Sequence, residues 1–323
     1  MTIRRLWYFL FLLNVLPAFV LESEATTLAE QGQSYKFSVR VGLVVLPVTV
    51  LDRRGDSVPG LEQQNFQVFE NGVPQQIILF DHRDIPVTLG LIIDNSTSMA
   101  PKLPEVVLSA LQLARASNPD DQIFVVHFNE NVGFGLRPEL SFARNLGDLV
   151  DAVSEARAQG KTALYDAITA GLVHLKQSRL KKKVLVVISD GGDNASTVTL
   201  PQTLRKAQSS EALIYTVGIF DEYDKDQNPK VLKQLARATG GASFFPKELR
   251  QLPDITRRIA HDVRTQYTIG YISTNPAADG TYRSIRVGVT ADKRHGLIVR
   301  TRSGYVAGEE SAPDPAGPNT GDR

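Results

Sequence analysis

Four near-continuous apolar runs, separated by stretches with helical spacing, constrain this chain more than any other feature. They are "PVTLGLII" from residue 86, "DQIFVVHF" (121–128), "KVLVVIS" (183–189) and "ALIYTVGIF" (212–220). A strand that is apolar on both sides has to be covered on both faces, as in a parallel sheet. The intervening stretches supply the cover. Val107, Ala110, Leu111 and Ala114 share a face behind Pro101 and Pro104, and Leu164, Ile168, Leu172 and Leu175 form a second stripe. Residues 229–239 and 247–265 also read as helices. Strands alternating with helices predict an α/β fold, a doubly wound and mostly parallel sheet flanked by helices.

On either side of this unit the period falls to two. In "YKFSVRV" the residues Tyr35, Phe37, Val39 and Val41 alternate with polar ones. "FQVFENGVPQQIILF" carries Asn71-Gly72 between apolar runs, a hairpin signal because both residues tolerate positive φ. After residue 265 come Tyr267, Ile269 and Tyr271, then Ile285, Val287 and Val289 opposite Arg286, then "HGLIVRTRSGY". Neither β segment, 34–84 or 265–306, is long enough to fold alone. Together they predict one small β-sandwich into which an α/β domain spanning 86–262 is inserted.

The two ends read differently. Arg4 and Arg5 precede an apolar run from Leu6 to Val20, followed by "SEA" at 23–25, the layout of a cleavable signal peptide over residues 1–25. At 15 residues the run is short of the ~20 needed to span a bilayer. The expectation is therefore an exported chain, periplasmic, cell-surface or extracellular, with no membrane contact beyond an uncleaved anchor. The tail from 307 to 323, rich in Pro, Gly, Ala and acidic residues, lacks the apolar content for a core. Cysteine is absent, which excludes disulfides, thiol catalysis and Cys-based metal sites. A net charge of +1 offers no footprint for nucleic acid.

In a doubly wound sheet the turns leaving the C-terminal strand ends converge on the ligand crevice. Here the first run ends in Asp94, followed by Ser96 and Ser98. "GKTALYDA" (160–167) puts Thr162 at the mouth of a helix, and "ISDGGDN" (188–194) ends the third run in Asp190. Three loops thus offer two carboxylates and three hydroxyls, a hard-oxygen set that suits Mg²⁺, and less stringently Mn²⁺ or Ca²⁺, rather than zinc or copper. So few carboxylates leave such an ion short of negative charge and open to an anionic oxygen from outside.

D-x-S-x-S at 94–98, the Thr of "GKTALYDA" and the Asp of "SDGGDN" resemble the metal-ion-dependent adhesion site of von Willebrand factor A domains, over roughly 86–262. The resemblance implies Ser96 and Ser98 as direct ligands, Thr162 as a direct ligand once a partner is bound, and Asp94 and Asp190 acting directly or through water. It further implies a protein partner whose Asp or Glu completes the shell, and in many such domains movement of the last helix. The flanks, "VLDRRGDSVPGLEQQNFQVFENGVPQQI" before and "QYTIGYI…YRSIRVGV…RSGY" after, are similar to those of exported bacterial proteins carrying this domain.

Each motif has a plainer reading. Ser, Thr and Asp at helix starts are commonly N-caps. Asn95, Asp193 and Asn194 read as turn formers, and Asp166 as helix-start or outer support. "GKT" lacks the earlier Gly of a phosphate loop, Glu155 standing in its place. Arg54-Gly55-Asp56 reads as a turn, His127 as a hydrogen-bonded strand residue, Met99 as packing, and "RLKKKV" (179–184 begins with Arg179) as a solvated basic face. The first function expected is a non-enzymatic adhesion-like module. The alternatives are a haloacid-dehalogenase-like, Mg²⁺-dependent phosphohydrolase, which needs a second Asp where Ser96 stands, and a structural or assembly protein of the cell envelope.

Overall fold

The structure is a computed structural model. It describes residues 42–308 apart from 155–156, 222–225 and 292–295. The signal segment 1–25, the "YKFSVRV" strand and the tail from 309 fall outside the described residues. Strands β1 (Leu43–Leu51), β2 (Phe66–Glu70), β3 (Val73–Gln75) and β4 (Ile77–Asp81) come first. The middle of the chain runs β5 (Val87–Asp94), α1 (Leu103–Arg115), β6 (Gln122–Phe128), β7 (Val132–Phe134), α2 (Leu146–Ser154) and α3 (Leu164–His174). It continues through β8 (Lys182–Ser189), α4 (Leu200–Ser209), β9 (Leu213–Gly218), α5 (Pro229–Thr239), β10 (Ser243–Phe244) and α6 (Leu252–Arg264). Strands β11 (Tyr267–Ile272), β12 (Tyr282–Val289), β13 (Ile298–Arg300) and β14 (Gly304–Val306) follow.

The middle elements form one sheet in the order β10-β9-β8-β5-β6-β7. All of its pairs are parallel except the edge pair β6–β7. The reason is visible in β5, where every residue is buried: side chains pointing to either face meet helices. α6, α1 and α2 pack side by side, as do α3, α4 and α5. Gly171 brings α3 against the sheet, where a Cβ would stand 2.8 Å from Ile92 Cδ1.

The outer strands make two further sheets, β13-β1-β11-β4 and β14-β12-β2-β3, whose pairs are all antiparallel. Leu46, Val48, Phe66, Tyr267, Ile269 and Tyr271 are among the residues of the core between them. This is a sandwich of strands from both ends of the described chain, with the α/β unit inserted. The Asn71-Gly72 turn joins β2 to β3, with φ of 47° and 82°. β4 does not extend that hairpin but crosses to pair with β11 in the other sheet.

Two helices, α2 and α4, escaped the sequence reading, and the α1 stripe is rotated. Its buried line is Leu103, Val106, Ala110, Leu113 and Ala114, with Val107 and Leu111 packed at the edge. No helix among the described residues is long and apolar enough to cross a membrane.

Candidate metal centre

β5 delivers Asp94 to the C-terminal edge of the sheet with no exposed surface. Its Oδ1 accepts the Ser96 backbone N–H at 2.9 Å, and its Oδ2 accepts the Ser189 hydroxyl at 2.6 Å. Ser189, the last residue of the neighbouring β8, also accepts the Gly191 N–H at 3.0 Å. Ser98 donates to Asp190 Oδ2 at 2.6 Å, and the Ser96 and Ser98 hydroxyls lie 3.2 Å apart. Four of the five residues expected from sequence are thus joined in one cluster, through hydrogen bonds and the charge of Asp190 acting on Asp94.

Thr162 joins through its backbone. Its N–H donates to Asn194 Oδ1 at 2.9 Å, and its carbonyl accepts the N–H groups of Asn194 and Ala195. None of these bonds uses its hydroxyl. The same loop meets the first one, since Gly160 O accepts both the N–H and the hydroxyl of Thr97, and Gln159 N–H donates to Asn95 O. The Asp190 loop turns at Gly191, where φ is +83° and a Cβ would come within 2.5 Å of Asn228 O, so glycine is required.

The helix-cap reading does not describe these hydroxyls. Ser96 precedes the 3-10 turn Thr97–Met99 without a side-chain capping bond, and the residue before α3 is Ala163. The free N–H groups of α3 are met from another loop, by Asp193 and Ser196. Asp166 reaches outward and accepts the N–H groups of Thr197 and Val198, fixing the approach to α4. His127 Nδ1 pairs with Asn95 and its Nε2 with Ala152 O. Met99 is fully buried. One basic-run residue departs from the solvated face expected of it, as Lys182 donates to Val263 O at 3.1 Å. The sequence reading missed Ser189, whose only signal was a serine directly before the strand-end Asp190.

Burial pushes the Asp94 carboxyl up to about 6, against the hydrogen bonds of Ser189 and Ser96 and with the help of the Asp190 charge. A desolvated carboxylate beside a second carboxylate, ringed by hydroxyls, is the environment a hard divalent cation would neutralise. Among the described residues no group of three or more His, Cys, Asp and Glu is placed to hold a metal ion. A cation here would depend on the hydroxyls.

Residues 89–258 match the family model of the von Willebrand factor type A domain. Solved structures with a similar fold include a von Willebrand factor type A protein from Catenulispora acidiphila, at 13% identity over 81% of this chain and 73% of that one, TM-score 0.49. Another is the vWF domain of the type V pili tip protein Mfa5 from Porphyromonas gingivalis, at 13% identity over 56% and 95%, TM-score 0.47. A third is the conserved hypothetical protein BatB from Bacteroides thetaiotaomicron, at 13% identity over 55% and 99%, TM-score 0.44. No curated protein matches the chain. Since the family model covers more than half of its 323 residues, this chain belongs to the von Willebrand factor type A domain family.

Proposed function

We propose that this chain is an exported, non-enzymatic adhesion-like module that uses a divalent cation to bind an acidic side chain of a protein partner. Domains of this family commonly serve protein interaction. The finer reading rests on one observation: Ser98 bridges Ser96 and Asp190 by hydrogen bonds while Asp94 lies beside them, buried and without a cationic neighbour among its named hydrogen-bond donors. Asp94, Ser96, Ser98, Thr162 and Asp190 would hold Mg²⁺, or Mn²⁺ or Ca²⁺ in its place. When bound, the ion supplies an electrophilic site for one carboxylate oxygen of the partner. The chain's own part is to hold hydroxyls ready and keep charge low, so that the visiting Asp or Glu completes the neutralisation. Export rests on the Arg4–Val20 segment. The phosphohydrolase alternative lacks its second acid, because Ser96 occupies that position and hydrogen-bonds Ser98.

Melting curves in Mg²⁺ and in chelator test this. Wild type should gain about 2.7 kcal/mol at a hundred times Kd, a rise of several degrees, and Asp94→Ala should fold but gain nothing. Identical responses of the two proteins would refute the site.

A further inference from the structure

Away from the strand ends carrying Asp94, a cleft of about 650 Å³ runs between α5, β12 and the 299–303 segment. Five cations line it, Lys233, Arg237, Arg286, Arg300 and Arg302, and no described carboxylate does. Arg300 is matched by Asp262 at 2.5 Å. Arg302 is only 9% exposed, and the carboxylate whose charge reaches it, Glu211, lies outside the cleft. Burying an arginine is costly unless its charge is well neutralised. Burial accordingly pushes its guanidinium below the ordinary value, with Glu211 opposing through its charge. Two polar atoms of this segment, Thr301 Oγ1 and Arg300 Nε, are buried without a partner.

We propose that this cleft binds an extended acidic segment of a partner protein, whose Asp or Glu side chains pair with Arg302, Arg237, Arg286 and Lys233. The cations are spread over three elements rather than focused on one point, which suits a chain better than a compact oxoanion. Between them lie Ala236, Ile285, Val287 and Val299, room for apolar side chains alternating with acidic ones. Both β10 and β13, each the last strand of its sheet, contribute residues to the wall, so backbone pairing with an extended peptide is open. Nucleic acid is disfavoured because the nearby rings are already covered: Lys233 lies over Phe245, and Arg286 over Phe69 at 4.1 Å.

The site is independent of the metal centre, and its test is run without metal. In chelator, fluorescence anisotropy of a labelled peptide of alternating Glu and Val is measured on the full chain, with a Gln-Val peptide as control. The acidic peptide should bind and the control should not. Lys233→Glu with Arg237→Glu, both exposed on α5, should weaken binding about tenfold or more, while Asp94→Ala leaves it unchanged. Arg302→Met should weaken it as well, and the α5 double variant decides should Arg302→Met fail to fold. Equal binding of both peptides, wild-type affinity in the double variant, or equally tight binding of a single-stranded oligonucleotide or inorganic phosphate would each overturn the proposal.

Discussion

Asp94 and Glu70 are both buried carboxylates, and their surroundings push them in opposite directions. Around Asp94 the hydrogen bonds come only from Ser189 and Ser96, through neutral hydroxyls and one backbone N–H, and burial wins. Around Glu70 burial also raises the carboxyl, but hydrogen bonds from Ser273, Tyr271, Tyr305 and Arg283 together outweigh it and hold it below the ordinary value of 4.5. The first arrangement is costly without a counter-charge and the second is self-sufficient. In chelator, Asp94→Asn should melt above wild type because it removes an unneutralised buried charge; in saturating Mg²⁺ the order should invert. Glu70→Gln should cost about 3 kcal/mol in urea unfolding, because it leaves Arg283, only 1% exposed, with Asp279 at 3.7 Å as its remaining carboxylate. The Glu70 contribution is present above pH 4.5 and lost as pH falls through its lowered folded value, so wild type should weaken in that acid range more steeply than Glu70→Gln.

At the scale of elements, what could be read from sequence followed how completely each element is buried. β5, β6, β8 and β9 stood out because both faces are covered. α4 was harder to see because its fully buried residues are only Thr203 and Ala207, while Leu200 and Leu204 beside them are partly exposed and set among polar residues. α2 has a stripe, Leu149, Ala152 and Val153, but it spans little more than one turn. The α1 stripe was read one step off because Val106 and Val107 stand together and the pattern does not say which points inward. Packing around the central strand gives a prediction of its own. A Cβ on Gly90 would come within 2.4 Å of Phe124 Cζ and 2.6 Å of Leu185 Cδ2. Gly90→Ala should therefore destabilise by about 1–3 kcal/mol in urea unfolding, from overpacking rather than from a lost hydrogen bond.

At the scale of the whole molecule, the sandwich was legible as two incomplete β segments, but its sheet assignment was not. Asn71-Gly72 fixes β2 against β3, whereas the crossing of β4 to β11 depends on contacts 190 or so residues apart that no local signal encodes. The site was legible for the opposite reason. A doubly wound sheet sends its strand ends to one edge, where Asp94, Ser96 and Ser98 of one loop join Asp190 of another, while Thr162 of the third motif reaches the Asp190 loop through its backbone alone. Ser189 was missed because it acts through Asp94 and resembles an ordinary buried strand serine. The proposed function requires that those loops share one cation. Calorimetric titration of Mg²⁺ into the metal-stripped full chain should find one site in wild type and none in Asp94→Ala or Ser98→Ala. Unchanged binding in both variants, or no binding by wild type, would contradict it.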